Sequence, residues 1–202
     1  MNHDSIERNL GLMIVLMLVA ISFGTLVELV PLMMERQTRE PAEGLKPLNA
    51  LQLEGRDIYI REGCNNCHSQ MIRTLRSDTA RYGAFTTANE LVYNHPHLWG
   101  SKRTGPDLAR VGQRYSDEWH RLHLYNPRDV VPESNMPAYP WLFKRKLNSE
   151  KTADKMRALR AVGVPFSDAA IESASSDVHE KMEIDALVAY LQQLGTLKSN
   201  EE

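Results

Sequence analysis

The sequence predicts a mainly α-helical protein, in which a single N-terminal transmembrane helix precedes one helical domain with a long loop insertion. Residues 10–27 form an apolar run without a charged side chain. At both ends of the remaining chain, apolar residues recur at helical spacing, and no strong alternation of apolar and polar residues indicates a strand. The length supports this division, because 202 residues suffice for one ordinary domain with an appendage.

Composition excludes several classes of protein. The net charge of −2 gives the chain no basic field, so we expect no nucleic-acid partner. Two cysteines are too few for a disulfide scaffold. Charged residues make up 25% of the chain and hydrophobic residues 42%, which is typical of a globular protein.

Residues 10–34 are the predicted transmembrane anchor, and residues 1–9 form a short tail before it. At about 1.5 Å per residue, a helix of this length spans a hydrocarbon core of about 30 Å. A cleaved signal peptide is the alternative, but the tail is not clearly basic and no small-residue cleavage motif follows. Glu28 lies late in the run, where its carboxylate either reaches the headgroups or faces a partner helix. Flanking positive charges favour a cytoplasmic domain, although large domains translocate with little regard to such charges.

The rest of the chain divides into three parts. A polar linker with two prolines and a glycine occupies residues 35–47, the domain occupies residues 48–197, and residues 198–202 form a frayed tail. The middle of the domain is rich in proline, glycine, asparagine and aromatic residues, so we expect loops with short helices there.

Helices are predicted at both ends of the domain, within residues 48–68 and 180–195. Gly55 in the first helix has no side chain, so the last helix can approach it closely, and Tyr190 is expected to rest there. Two further helices are expected before the last one, near residues 149–163 and after Pro165. The last helix carries an apolar stripe, with Gly195 as its predicted C-cap: Ile184, Leu187, Val188, Leu191 and Leu194.

The most informative stretch is "CNNCH", in which Cys64, Cys67 and His68 form a C-x-x-C-H motif that uses both cysteines. Two thiols about one helical turn apart can reach the two vinyl groups of one haem and form thioether bonds. The imidazole that follows them then lies under the iron. This spacing favours a covalently bound haem c.

Two other interpretations of the motif remain open at this point. A zinc site would need two more ligands, for which His95 with His97, or His120 with His123, are candidates. A redox dithiol would favour a βαβ context, which the sequence lacks. If the motif binds haem instead, we expect these four histidines and His179 to be surface or structural residues.

A haem that transfers electrons needs a second axial ligand, and methionine opposite histidine raises its potential. Met136 is the predicted ligand, because "ESNMPAYPW" is irregular, proline-flanked and well separated from His68. Met71 is only three residues beyond His68, too close to reach the opposite face of the haem. Pro106, in "RTGPDLARVG", stiffens a turn whose carbonyl could accept the Nδ1–H of His68 and orient the ring.

Taken in order, the haem motif, proline loop, methionine loop and closing helix resemble a class I cytochrome c. Longer blocks extend the likeness: "EGCNNCHSQMIRTLRSDTARYG", "YNHPHLWGSKRTGPDLARVG" and "YNPRDVVPESNMPAYPWL", behind one membrane helix. They resemble the mono-haem, membrane-anchored subunit (subunit II) of cbb3-type cytochrome c oxidases. The likeness covers nearly the whole chain and shows no departure at Cys64, Cys67, His68 or Met136.

The resemblance implies a class I cytochrome c domain on the periplasmic side of the bacterial inner membrane, with a cytoplasmic N-terminus. The implied partners are a catalytic haem–copper subunit with a b-type haem and a di-haem cytochrome c subunit that supplies electrons. The complex would reduce oxygen to water and pump protons, whereas this chain would transfer single electrons without binding oxygen. The alternative function is a freestanding, membrane-anchored electron shuttle.

Residues 74–104 form a long insertion between the haem motif and the proline loop. It is either a self-packed loop or a docking surface for the catalytic subunit, because aromatic residues and arginine are favoured at interfaces. The resemblance also implies a calcium ion at the boundary between these subunits, and Ser101 is a candidate backbone ligand. The aromatic residues of the insertion are Tyr82, Phe85, Tyr93 and Trp99.

Overall fold

The computed structural model describes residues 3–196 and is built from helices and connecting loops. Within these residues no β-strand forms, and only two isolated bridges occur, so the predicted mainly helical fold is confirmed. The end of the chain, with the predicted tail at 198–202, lies outside the described residues. The α-helices are α1 (His3–Glu7), α2 (Leu10–Met34), α3 (Ala50–Arg61), α4 (Arg76–Tyr82), α5 (Asp117–Tyr125), α6 (Thr152–Ala161), α7 (Asp168–Val178) and α8 (Glu183–Gln193).

Helix α2 is long and apolar enough to cross a membrane. It has 25 residues, a mean hydropathy of 2.6 in its most apolar window, and no buried residue. The side chain of Asn9 caps its start by accepting a 3.1 Å hydrogen bond from the Leu12 backbone. Pro31 lies in the last turn, where it disturbs few helical hydrogen bonds. The apolar helix predicted near the N-terminus is therefore present, over Leu10–Met34.

The main core of the domain forms where α3 crosses α8. A capping box between Asn49 and Gln52 starts α3. Tyr59 of α3 and Tyr190 of α8 are both about 1% exposed, with ring centroids 5.5 Å apart. Their crossing is close because Gly55 faces the backbone of α8, as the sequence predicts. This core joins the first and last elements of the domain.

A second, smaller core forms where α6 and α7 pack against α3. Met156 of α6 and Ile171 of α7 are buried there. The buried carboxylate of Glu54 accepts hydrogen bonds from Thr152 at 2.8 Å and from Lys155 at 2.8 and 3.0 Å. Both predicted intermediate helices are thus present, and they cover the side of α3 that carries Glu54.

Helix α3 ends earlier than the helical region that the sequence indicates. Gly63 has a φ of 73°, a left-handed conformation that favours glycine and stops the helix after Arg61. A separate 3-10 turn, Cys64–Asn66, follows it. The C-x-x-C-H motif therefore sits on its own tight turn and not on the end of α3.

The insertion at residues 74–104 has its own structure and is tied to the domain. It contains α4 and a 3-10 turn, Ala88–Leu91. Glu90 forms an ion pair with Arg110 at 2.6 Å. The linker also pairs with the insertion, because the Ala42 backbone donates a 3.0 Å hydrogen bond to the Asn89 carbonyl. The insertion is thus packed in part on the domain, while it leaves some large apolar side chains exposed: Leu75, Phe85 and Trp99.

Candidate functional site

The turn at Cys64–Asn66, just after the end of α3, brings together the two thiols and His68. The Cys67 and His68 backbones both donate hydrogen bonds to the Cys64 carbonyl, at 3.1 and 2.8 Å. Cys64 is half-buried and Cys67 is exposed, and neither forms a disulfide. The turn therefore presents two free thiols three positions apart, followed directly by a half-buried imidazole.

The imidazole of His68 is oriented by the loop that contains Pro106. His68 Nδ1 lies 2.7 Å from the Pro106 carbonyl oxygen, which can only accept a hydrogen bond. The proton is therefore on Nδ1, and the lone pair of Nε2 is free to bind a metal. A β-carbon on Gly105 would lie 2.2 Å from His68 Cε1, so this position has room only for glycine.

Asp107 holds the segment that follows His68, and the sequence analysis did not single it out. Its buried carboxylate accepts hydrogen bonds from the Ser69 hydroxyl at 2.6 Å and from the Met71 backbone at 3.1 Å. The Ala109 backbone donates to its other oxygen at 2.9 Å. The aspartate in "GPDL" was the available signal, since an acidic residue directly after a stiff proline can bind nearby backbone donors.

Asp78 of α4 connects the insertion to the segment that follows His68. No sequence pattern indicated this role. It forms ion pairs with Arg73 at 2.9 Å and with Arg103 at 2.6 Å. These two guanidinium groups hold the pKa of Asp78 well below its ordinary value. Arg103 also donates to the Met71 carbonyl at 3.1 Å. The insertion therefore supports the loop that carries His68.

Two tyrosine hydroxyls support the other side of this loop. Tyr59 donates a 2.7 Å hydrogen bond to the His68 carbonyl, and Tyr190 donates a 2.9 Å hydrogen bond to the Gln70 side chain. Burial raises the pKa of both phenols above the ordinary value, so they remain neutral donors. The crossing of α3 and α8 thus fixes the backbone of the loop as well as the core.

Met136 lies in a loop that leaves α5 and returns to it. The loop is closed by a 2.9 Å hydrogen bond from the Tyr139 backbone to the Leu124 carbonyl, and the Ser134 hydroxyl accepts from the Met136 backbone at 3.2 Å. Met136 is half-buried against the main core, which Cys64 also contacts. The structure thus brings the thioether and the C-x-x-C-H turn to the same core.

Aromatic side chains near the thiols provide an apolar wall. Burial raises the pKa of Tyr139 to about 12, and proximity to Cys64 and Cys67 adds to this increase. Trp141 packs edge-on against Tyr139 and donates a 3.2 Å hydrogen bond from Nε1 to Glu62. Thiols, an oriented imidazole, a thioether and aromatic rings fit a covalently attached haem.

The two other interpretations of the motif find no support in residues 3–196. These residues contain no group of three or more histidine, cysteine or acidic side chains arranged to hold a metal ion, as a zinc site requires. Burial raises the pKa of Cys64 to about 12, whereas a reactive dithiol needs a lowered thiol pKa. His97 stacks on Trp99, and His120 is buried, 3% exposed.

Ser101, the candidate calcium ligand, is exposed in the last part of the insertion. It lies two residues before Arg103, whose backbone forms an isolated bridge with His68. The described residues bring no cluster of carboxylates to it. If Ser101 binds an ion, other ligands must come from outside this part of the chain.

Comparison with known proteins agrees with this geometry. No curated protein sequence matches the chain significantly. A family model described as "Cytochrome C oxidase, mono-heme subunit/FixO" matches residues 3–183, which include the apolar helix, the C-x-x-C-H turn and the methionine loop. The chain therefore belongs to the FixO family of mono-haem cytochrome c oxidase subunits.

Proposed function

We propose that this chain binds one covalent haem c and passes single electrons to the catalytic subunit of a haem–copper oxidase. One observation carries the proposal: directly after two free thiols at C-x-x-C spacing, His68 Nδ1 lies 2.7 Å from the Pro106 carbonyl. That hydrogen bond leaves Nε2 available to iron. Membership of the oxidase family supports the electron-transfer role.

Each residue of the site has a separate task in this proposal. Cys64 and Cys67 would hold the haem through thioether bonds, and His68 and Met136 would bind its iron. A haem c bound here supplies a ferric–ferrous couple that accepts and releases one electron. Pro106 makes His68 a better donor through the hydrogen bond, and methionine ligation raises the potential. With His68 and Met136 both bound to the iron, no position on it would remain open for oxygen.

The proposed electron route runs from a di-haem cytochrome c subunit through this haem to the b-type haem of the catalytic subunit. The exposed side chains of the insertion support a docking role, since Phe85 is 46% and Trp99 51% exposed. Large aromatic side chains are favoured in interface cores. The complex as a whole would reduce oxygen and pump protons.

For the topology, we propose a single pass through the inner membrane, with a cytoplasmic N-terminus and a periplasmic domain. Haem attachment to C-x-x-C-H motifs takes place in the bacterial periplasm in this family, which supports the orientation. In this topology, residues 1–9 are the cytoplasmic tail and residues 10–34 the membrane anchor. Residues 35–47 are the linker and residues 48–197 the periplasmic domain. Since the linker is pinned to the insertion at Ala42, it favours a fixed subunit over a freely reaching shuttle.

At the subunit boundary we propose a calcium ion to which the Ser101 backbone contributes. Exposure of Ser101 next to the exposed Trp99 supports this position. The missing carboxylate ligands would come from the catalytic subunit. Metal analysis of the purified complex before and after chelation tests this, and an unchanged calcium content in a preparation with the insertion deleted would contradict it.

The axial assignment is tested with Met136→Ala in the assembled, membrane-extracted protein. We expect the ferrous variant to bind carbon monoxide, because the sixth position becomes open, whereas the wild type does not at this haem. Met71→Leu is the matched control, since Met71 is three residues from His68 and should leave carbon monoxide binding unchanged. A Met136→Ala variant that binds carbon monoxide no better than wild type would contradict the assignment.

The covalent link is tested by haem-dependent peroxidase staining after denaturing electrophoresis. We expect a stained band at 23.0 kDa plus the haem for the wild type, and loss of that band in a variant with both Cys64→Ser and Cys67→Ser. A stained wild-type band that persists in the double variant would contradict thioether attachment.

A further inference from the structure

Arg56 is a buried cation without a carboxylate partner. It lies in α3 and is 2% exposed. Its Nη1 donates a 2.8 Å hydrogen bond to the His95 carbonyl and its Nη2 donates to the Pro96 carbonyl. The Nε atom is buried and has no hydrogen-bond partner. Among residues 3–196, no aspartate or glutamate forms an ion pair with it, so only neutral dipoles, those of the two carbonyls and of the neighbouring Tyr190 hydroxyl, offset its charge.

This situation differs from that of the other arginines around the site. Arg61, five positions further along α3, is 48% exposed and pairs with Glu62 and Glu183 at 2.7 and 2.6 Å. Arg103 pairs with Asp78 at 2.6 Å. A buried charge without a counterion is unfavourable for folding. Its presence at Arg56 therefore suggests a task beyond stability.

Arg56 lies beside Tyr190, which supports the loop that carries His68. Burial raises the pKa of Tyr190, and the charge and hydrogen bonding of Arg56 partly oppose this increase, so the two groups are neighbours. Tyr190 in turn donates to Gln70, and Tyr59, three residues after Arg56, donates to the His68 carbonyl. The positive charge is therefore enclosed with the residues that support the imidazole.

We propose that Arg56 is a positioning residue that raises the reduction potential of the haem and holds the insertion against α3. This inference rests on the proposed haem function. A buried positive charge disfavours the ferric form, which carries one more positive charge than the ferrous form. Because Arg56 is buried, water and salt screen this effect little. The hydrogen bonds to the insertion keep the guanidinium group in place.

The test is an optical redox titration of the assembled oxidase, with three variants of this chain. For Arg56→Gln, we expect the ferrous-to-ferric ratio of the c-type haem at a fixed ambient potential to fall about tenfold, which is about 59 mV for one electron. Arg56→Lys keeps the charge and should recover most of the wild-type ratio. The control Arg61→Gln removes a paired, half-exposed charge from the same helix and should change the ratio much less.

The dependence of the ferrous-to-ferric ratio on ionic strength provides a second measurement. We expect the difference between wild type and Arg56→Gln to persist from low to high ionic strength, whereas any effect of Arg61→Gln should shrink, because exposed charges are screened. Equal loss in Arg56→Gln and Arg56→Lys, or no loss in either, would overturn the proposal. If Arg56→Gln does not assemble, the neutral variant Arg56→Met takes its place in the titration, and a wild-type ratio in Arg56→Met would overturn the proposal.

Failure of the haem assignment itself would look different. A wild-type chain without a c-type signal would contradict the proposed function. A normal c-type spectrum in wild type and all variants, with unchanged potentials, would contradict only the role of Arg56. Limited proteolysis of the insertion reports the anchoring separately, and we expect faster cleavage near His95 in both Arg56 variants.

Discussion

The backbone carbonyl oxygen of Ala186 occupies the place where Gly55 would carry a β-carbon: the two atoms would be 1.9 Å apart. Helices α3 and α8 therefore touch backbone to backbone, at the centre of the main core. Tyr190, one turn after Ala186, packs over the same glycine and holds Gln70 in the His68 loop. This one crossing couples the stability of the fold to the geometry of the site.

Replacing Gly55 with alanine should destabilise the domain strongly. The added methyl group meets backbone atoms that cannot rotate away, so the helices must separate. Overpacking of this kind costs about 1–3 kcal/mol or more in the free energy of unfolding. Thermal unfolding of Gly55→Ala should start at a lower temperature than that of wild type. Gly24→Ala is the control, because its methyl group meets nothing within 4 Å, and equal melting temperatures for Gly55→Ala and wild type would contradict the crossing.

A methyl group at Gly105 should disturb His68, the proposed iron ligand, while leaving the fold intact. It would lie 2.2 Å from His68 Cε1, so the ring must turn away from the Pro106 carbonyl. We expect Gly105→Ala to weaken the bond between His68 and iron, seen as partial conversion to high-spin haem in the optical spectrum. Thr104→Ala changes an exposed neighbour and should keep the low-spin spectrum. A fully low-spin Gly105→Ala protein would show that this glycine does not constrain the ring.

Asp78 should make the insertion sensitive to acid. Arg73 and Arg103 hold its folded-state pKa below the ordinary value near 4, so its contribution to stability is complete above about pH 4. That contribution is lost as the pH falls through the folded pKa. Asp78→Asn should therefore lower stability at neutral pH, and the difference from wild type should narrow below about pH 4.

Urea unfolding of the wild type and Asp78→Asn from pH 7 to pH 3 measures this dependence. Asp154→Asn removes one partner of an exposed ion pair with Arg157 and should change stability little at any pH. A constant difference between wild type and Asp78→Asn across the range would mean that the ion pairs of Asp78 do not stabilise the folded state.

The exposed aromatic residues of the insertion should matter for assembly and not for haem binding. Phe85→Ala together with Trp99→Ala should reduce the amount of catalytic subunit that co-purifies with this chain, because interface aromatics contribute strongly to binding. The c-type spectrum should remain unchanged. Val162→Ala, at an exposed apolar position on the α6 side, is the control. Undiminished co-purification of the double variant would place the docking surface elsewhere.

Much of the fold could be predicted from the sequence, because the decisive signals are local. An apolar run without charged residues predicts α2, and apolar residues at helical spacing predict α8. The C-x-x-C-H motif places both thiols and the imidazole by covalent spacing alone. Gly55 also carried its own signal, since a glycine inside a helical pattern indicates close packing.

The remaining features depend on contacts between residues that are distant in sequence. Asp78 and Arg103 are 25 positions apart, and nothing in either local segment indicates their ion pair. The buried state of Arg56 was missed for a similar reason, because its partners are backbone carbonyls whose positions no sequence pattern encodes. The end of α3 was misjudged because the left-handed conformation of Gly63 overrides the helical pattern before it.

The central claim is that this chain carries a c-type haem within an oxidase that also contains b-type haem. The most direct test is a dithionite-reduced minus oxidised optical spectrum of the protein purified from its native membrane in mild detergent. We expect c-type and b-type bands together, because the proposal assigns the c-type haem to this chain and the b-type haem to the catalytic subunit. A c-type band alone in an intact preparation would indicate a freestanding anchored carrier, and a spectrum without haem bands would contradict the account.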